Sequence, residues 1–345
     1  MQFQLTPDYS EKITRLIAKK DGNMLRDLLH ELHFADIAEL LEELKPEDAA
    51  YLIKSLESEI TSEALMELDE DDREKILSYL SPKEIAKEIE KMDTDDAADV
   101  VAELDDHIQK KVIEIIEDEE HASDIVELLT YDKDTAGALM AKELVQVKET
   151  WTVASCVREM RRQAENVTRV HSIYVTDKDG KLKGRLSLKD LLTASAKTHI
   201  SEIYIAKVDY VTVATEDEEV ARIMQKYDLE AIPVVDKNGV LVGRITIDDI
   251  VDFIKEEAEK DYQMAAGISQ DVEADDSILE LTKARLPWLV LGLFGGLGSV
   301  YILQGFEEAL FNYPILFFFT PLIAAMAGNV GVQSSAIIVQ GLAND

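Results

Sequence analysis

Apolar residues recur every twelve positions through the first third of the chain: Leu32, Leu44, Leu56, Leu68, Leu80, Met92, Leu104, Ile116 and Leu128. Twelve residues are about 3.3 turns of α-helix, so one continuous helix would rotate this column around itself. The period instead predicts short helices separated by turns, stacked as an all-α superhelix, a solenoid. Helix-start signals agree with it. Pro46 follows Lys45, and both Ser81-Pro82-Lys83-Glu84 and Asp93-Thr94-Asp95-Asp96 carry cap, first-turn and capping-box patterns.

The pattern changes in the middle of the chain. Residues 172–192 and 231–251 superimpose without a gap at an offset of 59, so that Ile173 matches Ile232, Asp177 matches Asp236, Gly184 matches Gly243 and Asp190 matches Asp249. Each copy reads as strand, Asp/Gly hairpin, strand and a helix capped by Ser187 or Thr246, preceded by a helix over 152–162 or 217–226. The arrangement resembles a tandem pair of α/β cystathionine-β-synthase (CBS) domains. In that family the G-x-x-[ST]-x-x-D segment often cradles an adenosine nucleotide, which makes Ser187, Asp190, Thr246 and Asp249 nucleotide candidates. The alternative is plain helix chemistry, with the hydroxyls as caps and the aspartates extending them. His171 and Ser172 stand where a ring would stack on adenine.

Towards the end the pattern becomes continuous. Residues 286–305 are twenty without a charge, about what a helix needs to cross the hydrocarbon layer. Residues 314–342 form a second uncharged run, with Glu307 and Glu308 in the loop between. Lys283 and Arg285 precede the first run, which puts everything before it in the cytoplasm. Trp288 suits an interfacial aromatic, and Gly292 with Gly296 forms a GxxxG pair for close helix packing. The second run carries Gly328, Asn329, Gly331, Gln333, Ser334 and Ser335 at membrane depth. Such groups either bond between helices or line a pore.

Charge sharpens this division. Of 345 residues, 36 are Lys or Arg and 70 Asp or Glu, a net charge of −34, of which residues 1–137 hold −24. Such a surface repels nucleic acid and attracts multivalent cations. Asp95 and Asp99 lie four apart on one predicted helix face, where their repulsion costs about 0.2–0.5 kcal/mol; a divalent cation would reverse that sign, and a solvated acidic face is the plain alternative. Cys156 is the one cysteine, so neither an intramolecular disulfide nor a cysteine-built zinc site is available. His30 and His33 lack a third ligand and read as structural. No nucleophile–base pair, Walker loop or dinucleotide fingerprint appears, and no enzyme activity is expected.

The order of parts, acidic superhelix (1–131), CBS repeats (138–200 and 201–258), acidic connecting helix (259–283) and an all-α membrane segment (284–345) containing LQGFEE and AGNVGVQSS, resembles the MgtE family of magnesium channels. The resemblance implies a homodimer, multi-pass in the lipid of the bacterial inner membrane, with Mg²⁺ both transported and sensed and the connecting "plug" helix closing the pore. Carried over by position, the sensing acids fall on Glu63, Asp95, Asp99, Glu218, Asp228, Asp249, Glu257 and Asp261, and Asn329 on the pore. Glu218 also completes a Thr215-x-x-Glu218 capping box, and Lys260 stands beside Asp261 where the family has an acid. The family's channel has five spans, so the membrane part here is expected to be truncated. The rival reading is a membrane-tethered CBS module that senses an adenosine nucleotide such as ATP.

Overall fold

The structure is a computed structural model and describes residues 5–163, 170, 172–269, 272 and 277–343. His171 lies outside the described residues. The chain forms two compact units, Met1–Ile250 and Val251–Asp345.

The first unit opens with short helices: α1 (Pro7–Ala18), α2 (Gly22–Leu29), α3 (Phe34–Glu43), α4 (Pro46–Ser55), α5 (Ser58–Met66), α6 (Glu70–Leu77), α7 (Pro82–Ile89), α8 (Thr94–Glu103), α9 (Asp106–Ile115) and α10 (Glu119–Leu128). The twelve-residue column marks their ends: Leu44, Leu56, Leu104 and Ile116 are the residues that close α3, α4, α8 and α9. Each period is thus one helix and its turn. Helices pack two places apart, α3 on α5, α5 on α7 and α7 on α9, with α2 on α4, α4 on α6 and α8 on α10, which is the nearest-neighbour stacking of a solenoid. Ser81 and Glu84 make the expected reciprocal capping box on α7.

Two buried polar links join alternate helices. Arg73 of α6 pairs with Glu103 of α8 and also donates to the carbonyls of Leu65 and Leu68 at 3.3 and 3.1 Å, so its guanidinium closes the end of α5. Glu88 of α7 accepts from Ser58 Oγ at 2.7 Å and from Thr61 Oγ1 of α5. Its burial raises its carboxyl above the ordinary range, against the pull of the two hydroxyls.

The first CBS repeat comprises β1 (Val145–Lys148), α11 (Val153–Gln163), β2 (Ile173–Thr176), β3 (Leu182–Leu186) and α12 (Leu188–Thr193). The second comprises β4 (Val211–Thr212), α13 (Asp217–Tyr227), β5 (Ala231–Val235), β6 (Leu241–Thr246) and the start of α14 (Ile247–Ala265). In each, the middle strand pairs parallel to the first and antiparallel to the last, with a register shift at the same place, Val175/Thr176 and Val234/Val235. Buried Cys156 packs with Val145, Val147, Ile173 and Leu186 in the first repeat's core, and burial pushes its thiol up to about 11. It is a packing residue.

The two repeats lock reciprocally. Their hairpin turns exchange hydrogen bonds, Leu182 N to Gly239 O at 3.0 Å and Leu241 N to Gly180 O at 3.1 Å. The segment entering each repeat also crosses the last strand of the other: Ile205 bonds Arg185 in both directions, and Ala141 bonds Arg244 in both directions. Gly184 and Gly243 permit the crossings. A Cβ at Gly184 would stand 2.1 Å from Ile205 O, and one at Gly243 would stand 2.8 Å from Ala141 O. The glycine of G-x-x-[ST]-x-x-D is therefore a close-approach residue here. The superhelix leaves across the second repeat, with Ala136 N donating to Thr215 O at 2.8 Å and Gly137 N to Val213 O at 3.0 Å.

The second unit continues α14 without a break through 258. It then has α15 (Ile278–Gln304), α16 (Glu307–Asn312) and α17 (Thr320–Ala343). Two stretches, Ile278–Gln304 and Pro314–Ile338, are long and apolar enough to cross a membrane. α15 begins earlier than its uncharged run because Ser277 and Glu280 form a capping box ahead of it.

Candidate functional site

The first turn of α8 faces the second CBS repeat, and acids converge there. Asp95 is 8% exposed. Its carboxyl is held well above the ordinary range by burial first, then by Asp249, Asp96, Asp93 and Glu143. Asp96 is pushed up to about 8 by burial, Asp249, Asp93, Asp99 and Glu63. Asp249, on the first turn of α14, is raised by burial, opposed by hydrogen bonds from Thr246 and by the charge of Arg244. Glu63 of α5 is raised by partial burial, then by Asp93 and Glu67. Desolvated like charges thus raise one another, as a carboxylate pair sharing a site does.

Arg244, 6% exposed, is the cation woven into this region. Its Nη2 donates to Asp93 Oδ2 at 3.1 Å and its Nε to the carbonyl of Glu143 at 2.6 Å. The Glu143 carboxylate accepts from Thr94 N and Thr94 Oγ1 at 3.2 and 2.8 Å. Among the described residues, no three His, Cys, Asp or Glu side chains are grouped so as to grip an ion directly.

Of the sequence candidates, Asp95 and Asp249 meet here, with Glu63 and exposed Asp99 at the edge, within electrostatic reach of Asp96. Others stand apart. Glu218 and Asp228 are exposed on α13, Asp228 as its left-handed C-cap at φ 50°. The Thr215–Glu218 capping box does not form: Thr215 Oγ1 is taken by Thr212 N at 3.0 Å, and Glu218 N donates to Asp217. Glu257 and Asp261 belong to the second unit, where Lys260 Nζ lies 3.9 Å from Glu257. Asn329 lies inside the continuous helix α17.

The twin nucleotide motifs differ. In the second repeat, Thr246 N and Oγ1 both donate to Asp249 Oδ2, at 2.9 and 2.6 Å. In the first, Ser187 occupies the N-cap position of α12 without a side-chain cap bond. The expectation that Ser187 caps its helix is corrected, because no N–H of that short helix points at its hydroxyl. Sequence reasoning missed Asp96, Asp93, Glu143 and Arg244. Asp96 was visible as the neighbour of Asp95, and Arg244 as the repeat-mate of Arg185 at the same offset of 59. Nothing in the sequence flagged Glu143.

Comparison with known proteins matches residues 32–134 to the MgtE intracellular N domain and residues 136–197 and 200–256 to CBS domains. The solved cytosolic domain of the Mg²⁺ channel MgtE in complex with ATP is similar at 34% identity and a TM-score of 0.66, covering 71% of this chain and 99% of that one. The chain belongs to the MgtE family. A second structure, the soluble part of a magnesium transporter, is similar at 30% identity and a TM-score of 0.65, covering 72% of this chain and 98% of its own. The magnesium transporter MgtE of Thermus thermophilus is 41% identical over 218 residues, and that of Bacillus subtilis 36%. Both matches cover 63% of this MgtE chain and 48% of the relative, so the chain spans about half the length of the curated relatives it matches.

Proposed function

We propose that this chain is the cation-sensing part, with two of the membrane helices, of a homodimeric Mg²⁺ channel of the bacterial inner membrane, closed when Mg²⁺ binds between α8 and the second CBS repeat. The observation that carries this reading is the meeting of buried Asp95 and half-buried Asp96 with half-buried Asp249, in which desolvation and mutual repulsion disfavour the charged forms. Two unit charges about 4 Å apart at an effective dielectric near 20 interact by about 4 kcal/mol. Moving a two-state equilibrium from 1:99 to 99:1 takes about 5.5 kcal/mol. One or two bridged carboxylate pairs therefore suffice to gate. Without cations the acids repel and the superhelix leaves the CBS pair. The matching apolar pairs left exposed on the two closing helices, Leu188 with Leu192 and Ile247 with Val251, support pairing with a second copy.

A second reading is favoured by Ser187 and Asp190, which lack the hydrogen bonds that Thr246 donates to Asp249 in the other repeat. ATP binding at the first repeat would use that hydroxyl and carboxylate, as the ATP complex of the solved relative invites. The two readings separate in limited proteolysis of the chain in detergent, titrated with Mg²⁺ or with ATP. Protection of the 129–143 connection at millimolar Mg²⁺, lost in Asp95→Asn/Asp249→Asn, is the expected result. Protection by ATP alone, with Mg²⁺ inert, would leave the nucleotide module as the better account.

A further inference from the structure

The first turn of α8 draws its caps from two places: Asp95 Oδ1 accepts from Asp96 N at 3.0 Å, and Glu143, from far along the chain, takes Thr94 where Asp93 does not. Asp93-Thr94-Asp95-Asp96 is the sequence of a helix that caps itself. Asp93 does occupy the N-cap position, with extended backbone, but its side chain makes no cap bond. Its Oδ2 is drawn instead to Arg244 Nη2 at 3.1 Å, on strand β6. The cap comes from the connecting segment: Glu143 takes both Thr94 N and Thr94 Oγ1, and Thr94 Oγ1 accepts from Lys142 N at 2.8 Å. Arg244 fixes this acceptor as well, because its Nε donates to the Glu143 carbonyl and its own backbone is paired with Ala141. His121 of α10 closes the far side, with Nδ1 3.9 Å from Glu143 Oε1.

We propose that Glu143 and Arg244 are positioning residues that exchange the N-cap of α8. While the superhelix is docked on the second CBS repeat, Glu143 caps the helix and Arg244 holds Asp93 out of the cap position. When the superhelix leaves, Thr94 parts from the connecting segment and the Asp93 carboxylate returns to accept from Asp95 N, beside the bond from Asp96 N to Asp95 Oδ1 that the docked state already holds. This rests on the cation-dependent docking proposed above. Its consequence is that the turn bearing Asp95, Asp96 and Asp99 remains helical in both states. The balance between them is then left to the charges on those acids and to the cations that bridge them. A helix with one cap only would fray on release, exposing orphan N–H groups and scattering the ligands.

The test is hydrogen exchange of amides 94–97 in the full chain in detergent, in Mg²⁺ and in chelator. Docking is read separately from the distance between spin labels at Lys110→Cys and Lys226→Cys, both exposed positions. Wild type should keep these amides protected in both conditions. Glu143→Ala should lose about fivefold protection in Mg²⁺ only, and raise the Mg²⁺ midpoint of docking about fivefold, the usual worth of a cap. Glu143→Gln, which keeps an acceptor oxygen, should restore most of both. Asp93→Ala should lose protection in chelator only. Unchanged chelator exchange in Asp93→Ala, or a Glu143→Gln as impaired as Glu143→Ala, would overturn the exchange of caps. A label distance indifferent to Mg²⁺ would overturn the docking reading itself, and the exchange with it.

Discussion

Replacing Asp96 by Asn keeps the shape of the side chain and removes its ionisation, which the structure marks as costly. The carboxyl, ordinarily near 3.8, is pushed up to about 8. A raised acid contributes stability that is fully present below its unfolded value and is lost as pH climbs through its folded value. At about 1.4 kcal/mol per pH unit, Asp96 alone would cost the fold roughly 6 kcal/mol above pH 8. Asp95 and Asp249 share protons with it, so about a third of that, roughly 2 kcal/mol, is expected from the single change. In chelator, Asp96→Asn should therefore raise Tm by about 5 °C at pH 8.5 and by only about 1 °C at pH 5, given about 2–4 °C per kcal/mol for a unit of this size. Differential scanning calorimetry of the chain in detergent measures this. Saturating Mg²⁺ should narrow or invert the difference, because wild type gains a ligand that the variant lacks. Equal stabilisation at both pH values, or destabilisation at pH 8.5, would refute the account of Asp96 as a buried ionisable group held without a cation.

The other expectations concern the frame around this site and the membrane end. Arg73→Met should cost about 3–5 kcal/mol by stranding buried Glu103, and Arg73→Met/Glu103→Met should recover most of it, as denaturant unfolding would report. Gly184→Ala forces a Cβ onto the Ile205 carbonyl, 2.1 Å away before any shift; it should cost about 1–3 kcal/mol and speed hydrogen exchange at Arg185 and Ile205 while leaving the superhelix unaffected. Asn329→Leu, placed in a chain carrying all the family's spans, should abolish Mg²⁺ uptake in a magnesium-auxotrophic bacterium without changing Mg²⁺ protection of the cytosolic part; rescue at wild-type level would make Asn329 a helix-packing residue.

Local and periodic features were legible in the sequence because their causes are local. The twelve-residue column could only be helix plus turn, since α-helical geometry forbids one straight helix from presenting it on a face. The offset of 59 carried strand, hairpin and helix into both repeats, and Asp177 and Asp236 cap their turns from within four residues. Uncharged length alone marked the two apolar helices. What the sequence could not decide was which acids meet, because repulsion and burial depend on partners far along the chain. Asp95 and Asp249 stand 154 positions apart, and only the crossing of the connecting segment over β6 brings α8 to the turn after Thr246. The same crossing overrode local preference at Asp93, whose self-capping sequence yields to Arg244. Glu218, a carboxylate like Asp95 and Asp249, stays exposed on α13. Charge composition set the capacity for cations; desolvation by packing chose the carboxylates that need them.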